Sequence, residues 1–172
     1  MHKLARVTLT AALLVTVPAV TGCGGDKGGD KKEEEVEVIP QAANGSPVAI
    51  KHVEFIGEGE GRGMKIKLYN HGDKTAAGMT LLFRYYDGDD KLLKVKEGTP
   101  FEKDSDFTSV SGGRYKVEPK KNAKFEIEGM MVAVPAAATR VEVITSKVDA
   151  IAADGNTIED WWSQENWADW PE

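Results

Sequence analysis

Between Val48 and Gly155 apolar side chains recur at every second position. Met64, Ile66 and Leu68 alternate with Lys65, Lys67 and Tyr69, and Met79, Leu81, Phe83 and Tyr85 alternate with Thr80, Leu82, Arg84 and Tyr86. Tyr115 and Val117, Phe125 and Ile127, and Val141 and Val143 repeat the pattern between charged residues. A period of two sends successive side chains to opposite faces of an extended strand, so it demands sheets with one face on a core. Turn-forming residues separate the runs: Asn70-His71-Gly72-Asp73, Gly112-Gly113, and Pro119-Lys120-Lys121-Asn122. Asp87-Gly88 is a hairpin signal, with Leu93 and Val95 continuing the alternation beyond it. Six or seven short strands at this spacing predict an all-β chain, an immunoglobulin-like antiparallel β-sandwich of about seven strands. A small barrel is the architectural alternative.

The N-terminus follows a different pattern. Lys3 and Arg6 precede an apolar run, Val7 to Val20, broken only by threonines and Pro18. A basic start and a short apolar run are the marks of an export signal. The run is shorter than the roughly 20 apolar residues a membrane-spanning helix needs, and Pro18 would interrupt such a helix. It ends in Val20-Thr21-Gly22-Cys23, which resembles the lipobox of bacterial lipoproteins. That resemblance implies cleavage before Cys23 and acylation of its thiol. Cys23 is the single cysteine of the chain, so it has no intrachain disulfide partner, and lipidation supplies it with a role. Several acyl chains anchor stably where one does not.

Cleavage would remove 22 of 172 residues, including two basic residues and no acid, and would move the formal charge from −6 to −8. An acidic chain of this kind is unsuited to nucleic acid. Overall charge also argues against a polybasic mode of membrane attachment. The lipid on Cys23 is then the expected membrane contact. Asp is absent after the cysteine, where Gly24 stands, and in a two-membrane organism the lipoprotein resemblance implies the outer membrane. Gly24 to Pro47, with paired glycines and the run Lys31-Lys32-Glu33-Glu34-Glu35, reads as a flexible charged linker. Such a linker spans about 25–30 Å on average and roughly 80 Å when stretched. The domains expected are therefore a signal peptide at 1–22, a lipidated linker at 23–47, a sandwich at 48–156 and a C-terminal segment at 157–172.

Phe83-Arg84-Tyr85-Tyr86-Asp87-Gly88 resembles the motif that names the FxLYD domains, with Tyr85 at the position where that family prefers Leu. Leu68-Tyr69-Asn70-His71-Gly72 is similar to their strand-plus-Asn turn, and Val117-Glu118-Pro119 to their turn before a late strand. Val143 to Gly155 resembles the closing strand of small envelope sandwiches. The resemblance implies an extracytoplasmic sandwich, often carried by lipoproteins, without a general enzymatic activity.

Catalytic signatures do not emerge. There is no Gly-x-Ser-x-Gly elbow and no His-Glu-x-x-His. His52 and Glu54 have the spacing of a deaminase motif, but the cysteine ligands such a zinc site requires are missing. They read as a solvated pair sharing one face of a strand. Gly57-Glu58-Gly59-Glu60-Gly61-Arg62-Gly63 carries two acids that would repel phosphate, and reads as an inter-strand loop. Asp87, Asp89 and Asp90 could offer oxygens to calcium, yet one turn supplies too few of the six to eight required. No cofactor is expected.

The C-terminus concentrates all four tryptophans, Trp161, Trp162, Trp167 and Trp170, within twelve residues, among five acids and no base from Thr157 onward. Asn156 and Glu159 have capping-box spacing, which predicts a short helix from Thr157. Such a helix could not bury all four rings on one surface. The rings either fold back over an edge of the sandwich or stay available as the anchor of a partner-binding surface. The expected role is a non-catalytic binding or scaffolding module for another envelope component. An enzyme accessory or inhibitor, and a carbohydrate- or calcium-dependent binder, are the alternatives.

Overall fold

The computed structural model describes residues 39–59, 61–96, 104–113 and 115–171. Cys23, the signal segment and most of the expected linker lie outside these residues. The described residues fall in one compact unit, Glu37–Glu172, and among them no helix is long and apolar enough to cross a membrane.

The chain forms two antiparallel sheets. Strands β1 (Val48–Ile56), β2 (Gly63–Asn70) and β7 (Asn122–Ile127) make the first, in the order β1-β2-β7. Strands β3 (Thr75–Tyr86), β6 (Thr108–Gly112), β8 (Arg140–Ile151) and β9 (Thr157–Ser163) make the second, in the order β6-β3-β8-β9. A two-residue ribbon pairs β4 (Val95–Lys96) with β5 (Asp104–Ser105), and one helical turn, α1 (Gly129–Val132), follows β7. Read as A-B-E against C′-C-F-G, this order is that of an immunoglobulin-like sandwich.

The alternation in the sequence is realised in the pairing. Met64, Ile66 and Leu68 of β2 stand opposite Ile127, Phe125 and Ala123 of β7, on the inner face. Ala76, Met79, Leu81, Phe83 and Tyr85 of β3 meet them across the core, with Val110 and Val148. A slip of one residue would turn each set to the other face, so burial itself specifies the register. β3 is buried on both faces: Met79 to Phe83 form an unbroken buried run, and Leu82 on the outer face has no exposed surface. A strand covered on both sides reads as continuous apolar sequence rather than strict alternation.

Asn70 ends β2 as a buried junction. Its Nδ2 donates to the carbonyls of Lys74 (2.8 Å) and Val117 (2.9 Å), and its Oδ1 accepts from the N–H of Gly72 (2.8 Å). One side chain thus closes the β2–β3 turn and ties it to the segment before β7. The β1–β2 loop runs through left-handed glycines at 57, 59 and 61. Gly129 passes so close to this loop that a Cβ there would lie 1.6 Å from the Gly61 carbonyl oxygen.

Three expectations are corrected. Tyr115 and Val117 are buried as their alternation requires, but only Val117 forms a bridge, to Ala76, and no strand develops there. The linker expected through Pro47 is already tied to the sandwich from Pro40. The Pro40 carbonyl meets His71 Nε2 (3.2 Å), Asn44 Nδ2 donates to the Thr145 carbonyl (2.9 Å), and Ser46 is buried.

The third correction concerns Thr157. No helix starts there; the segment is β9, paired with β8. The Asn156 backbone N–H goes to Asp154 Oδ1 (3.0 Å) in an Asx turn, so the capping box does not form. The cause is tertiary: without β9, the second half of β8 would be an unpaired edge, and pairing satisfies a row of backbone groups that a seven-residue helix could not.

Candidate binding site

The C-terminal aromatic residues separate into two pairs. Trp161 and Trp162 belong to β9 and both pack against the core. Neighbours in a regular strand point to opposite faces, but Asp160 adopts a left-handed backbone (φ 50°) at a bulge opposite Val148–Ala150, which breaks the alternation. The Asp160 N–H donates to Asp149 Oδ1 (2.8 Å) and its carboxylate meets Lys147 at 2.9 Å, fixing the bulge. Trp161 lies against Gly72 in the Asn70 turn, with the Lys74 ammonium 5.4 Å from its ring centre. These two rings close the edge of the sandwich, the fold-back outcome.

Trp167 and Trp170 lie on residues 164–171, which cross the outer face of the four-stranded sheet. Gln164 pins the crossing: its backbone N–H donates to the Ser146 carbonyl (3.0 Å), and its Nε2 donates to the carbonyls of Asn166 (3.0 Å) and Asp169 (2.6 Å). Trp167 lies beside Thr80, Gly112, Gly113 and Lys147, and Trp170 stacks on the Arg84 guanidinium at 4.6 Å. Between these points on the same face lies the fully buried Leu82. The segment therefore covers an apolar side chain and presents what remains of its own rings outward.

That presentation forms a groove. Trp167 is 49 % exposed over a shallow depression of about 320 Å³. A larger groove of about 570 Å³ is lined by Arg84, Asp106, Phe107, Gln164, Glu165, Asn166, Asp169, Trp170 and Pro171. Trp170 is held from two sides, by Arg84 beneath and by Phe107 at 6.5 Å. Arg84 Nε is buried there without a hydrogen-bond partner among the described residues. The groove thus combines a fixed aromatic wall with amide, carboxylate and guanidinium groups, the composition of a surface that orients a polar ligand while burying its apolar face.

Next to the groove, Tyr86, Arg140, Glu142 and Asp90 form an exposed network. The Tyr86 hydroxyl donates to Glu142 Oε2 (2.7 Å), and Arg140 bonds Glu142 and Asp90, both at 2.8 Å, while lying 3.8 Å from the Tyr86 ring centre. Partial burial pushes the Glu142 carboxyl up, but the Tyr86 hydrogen bond and the Arg140 charge outweigh it and hold it below its ordinary value.

This network and the turn itself engage two of the three turn carboxylates, those of Asp87 and Asp90. Asp87 Oδ1 accepts the N–H groups of Asp89 (2.9 Å) and Lys91 (3.0 Å), and Asp90, left-handed at φ 59°, is paired with Arg140. The Asp90 N–H donates to the Asp87 carbonyl (3.2 Å) and the Asp87 N–H to the Lys91 carbonyl (3.1 Å), which closes a tight hairpin turn with a left-handed residue at its end. Among the described residues no three His, Cys, Asp or Glu side chains are arranged to hold a metal ion.

His52 and Glu54 share the outer face of β1, 3.6 Å apart, with Lys65 at 2.6 Å from Glu54. The Lys65 hydrogen bond is the main cause that holds the Glu54 carboxyl below its ordinary value. Sequence reasoning found Trp170 but not Arg84, Asp106, Phe107 and Gln164, its partners in the groove, and found Trp167 but not the Gly112–Gly113 depression that it lines. The one signal was Arg84, a cation interrupting the apolar run of β3.

Fold and groove together define a small immunoglobulin-like sandwich with an aromatic and polar groove on the outer face of its four-stranded sheet. No protein-family model and no curated protein sequence matches the chain. A solved hypothetical protein from Peptoclostridium difficile 630 is similar in structure, with a TM-score of 0.47 and 10% identity over 72% of this chain and 89% of that one. A Northeast Structural Genomics Consortium target is also similar, with a TM-score of 0.31 and 12% identity over 64% of this chain and 78% of that one.

Proposed function

We propose that the protein is a non-catalytic, lipid-anchored module of the cell envelope, FxLYD-like in its sandwich, that binds another envelope component through the groove of its C-terminal segment. The observation that carries this reading is the division of labour among the tryptophans. Trp161 and Trp162 complete the core, whereas Trp167 remains half-exposed over its own depression and Trp170 walls the groove with Phe107 and Arg84. An indole left in water beside a pinned polar groove favours a partner that buries it. Acylation of Cys23 would keep the module at a membrane.

Crosslinking in cells followed by mass spectrometry tests this, comparing the intact protein with Trp167→Ala and Cys23→Ser. The expected result is one defined partner, lost with Trp167→Ala while the melting temperature is unchanged. Capture that is indifferent to Trp167 would sink the reading of its exposed indole as the anchor. Cys23→Ser is expected to release the protein from membranes, and unchanged retention would refute the anchor.

A second reading is favoured by one feature of the groove. Gln164, Asn166, Asp169 and Asp106 place amides and carboxylates beside the Trp170 ring, and the ring is fixed by Arg84 rather than free on a loose tail. That combination suits a neutral sugar, whose apolar face stacks on indole while its hydroxyls bond planar side chains. Binding of neutral envelope oligosaccharides, read by tryptophan fluorescence, separates it from a protein partner.

A further inference from the structure

The two sheets leave one side of the sandwich partly open. β1 is an edge strand of its sheet, and β9 covers β8 only from Lys147 onward, so residues 140–146 of β8 have no strand paired on the side nearer β1. The apolar side chains along this seam, Ile50 of β1 with Val141 and Val143 of β8, pack on the core yet stay only partly buried. Between the two strands lies a cleft of about 490 Å³. Residues 48–50 of β1 and 143–145 of β8 form its walls, and residues 40–44 with Pro171 form its rim. Every wall residue except Thr145 is aliphatic, and the lining holds no charged group and no aromatic ring.

Thr145 is the exception that gives the cleft a chemistry. It pairs with Leu81, a core residue, and directly opposite partners share a face, so its side chain points inward between the sheets. The residue is 1 % exposed, and its Oγ1 has no hydrogen-bond partner among the described residues. Its backbone is provided for: the Thr145 carbonyl accepts from Asn44 Nδ2 (2.9 Å), and Asn44 Oδ1 accepts the Ser46 N–H (3.2 Å). The rim amide at Asn44 is therefore engaged, and the hydroxyl is left over. A buried hydroxyl without a partner is unfavourable, and valine would fill the same space on this apolar wall without that cost. A ligand group that bonds the hydroxyl removes the penalty.

We propose that this cleft binds a neutral aliphatic amphiphile, a single hydrocarbon chain with an uncharged alcohol, ester or amide head group. The head group bonds Thr145 Oγ1, which can donate or accept, and the chain lies between the aliphatic walls along Val143 and Ile50. A lining without a cation disfavours a carboxylate or phosphate head, and one without a ring gives a sugar nothing to stack on. The volume falls within the range of small-molecule sites. The cleft shares only Pro171 with the aromatic groove, and the proposal rests neither on that groove nor on a lipid at Cys23.

The test is calorimetric titration of the full chain with 1-octanol and with sodium octanoate, repeated on Thr145→Val and on Val143→Phe. Thr145→Val keeps the shape of the side chain and deletes the hydroxyl, while Val143→Phe, at a partly exposed position, fills the cleft. The expected result is saturable one-to-one binding of octanol, weakened roughly fivefold by Thr145→Val, the worth of one neutral hydrogen bond, and lost in Val143→Phe. Octanoate should bind at least about tenfold more weakly than octanol, since its charge finds no partner. Without ligand, Thr145→Val should melt no lower than the wild type, because no internal hydrogen bond is lost. The proposal is overturned if octanol does not bind saturably, if Thr145→Val or a folded Val143→Phe binds it as tightly as the wild type, or if octanoate binds as well as octanol. It is also overturned if unliganded Thr145→Val melts lower, which would show the hydroxyl already bonded within the fold. Should Val143→Phe fail to fold, the Thr145→Val comparison decides alone.

Discussion

The surroundings of Tyr85, near the end of β3, allow a quantitative test. The ring is fully buried in the core, and its hydroxyl donates to the Val132 carbonyl at the end of α1 (2.7 Å) and lies 3.2 Å from Thr108 Oγ1. Thr108 Oγ1 also donates to the Val132 carbonyl (3.1 Å), so Tyr85→Phe leaves that carbonyl with a donor. The loss is then one net hydrogen bond, about 1 kcal/mol at neutral pH. Burial raises the Tyr85 phenol to about 12 from its ordinary 10. A pKa raised by folding gives stability that is complete below pH 10 and is lost as pH rises through 12. At pH 11 the unfolded phenol is mostly ionised and the folded one is not, which removes about 1.4 kcal/mol from the wild type and nothing from the variant. Urea unfolding followed by tryptophan fluorescence should therefore show wild type ahead at pH 7 and the two level, or reversed, at pH 11. All other titrating groups are common to both proteins and cancel in the difference. A stability gap that stays constant between the two pH values would refute the assignment, as would a Tyr85 phenol titrating near 10.

Asn70→Ala removes three hydrogen bonds of a buried side chain and leaves two carbonyls without that donor, so we expect a loss of about 2–4 kcal/mol, measured by urea unfolding; a loss under about 1 kcal/mol would argue against a junction role. Ending the chain at Ser163 should uncover Leu82 and strip Trp170 from the Arg84 guanidinium, lowering stability by about 2–4 kcal/mol in calorimetry, while an unchanged melting temperature would mean that the segment covers nothing. Gly72→Ala places a Cβ 2.3 Å from Trp161 Cη2, so the ring must move; the expected cost is about 1–3 kcal/mol with a shifted tryptophan emission, and wild-type emission and stability would contradict the packing of Trp161.

The strands that sequence reasoning located best are those with one face on the core and one in water. β2, β7 and β8 are legible because their polar and apolar positions alternate, and β3 because its hydrophobic length ends at Asp87-Gly88. β6 was missed: Thr108–Gly112 has a single apolar residue, Val110, and is a strand because β3 offers it an edge. Tyr115 and Val117 misled in the opposite direction, since burial at alternate positions does not require a ladder partner.

At the candidate site the tryptophans were visible as composition, but their separate fates were not. Thr157 to Ser163 satisfies the local signal for a helix start as well as it satisfies a strand. What decides is the open edge of β8, a surface built by residues far away in the chain. The groove likewise joins Arg84, Phe107 and Gln164, which lie far apart in the chain. The amino-acid order by itself determined the all-β class, the inner faces of the main strands, the turn at Asp87 and the expectation of an anchor at Cys23, because each depends on residues adjacent in the chain. Tertiary structure alone decided the partner of each edge, the coverage of Leu82 and the clustering of charges on each face, because those free energies arise only when distant segments meet.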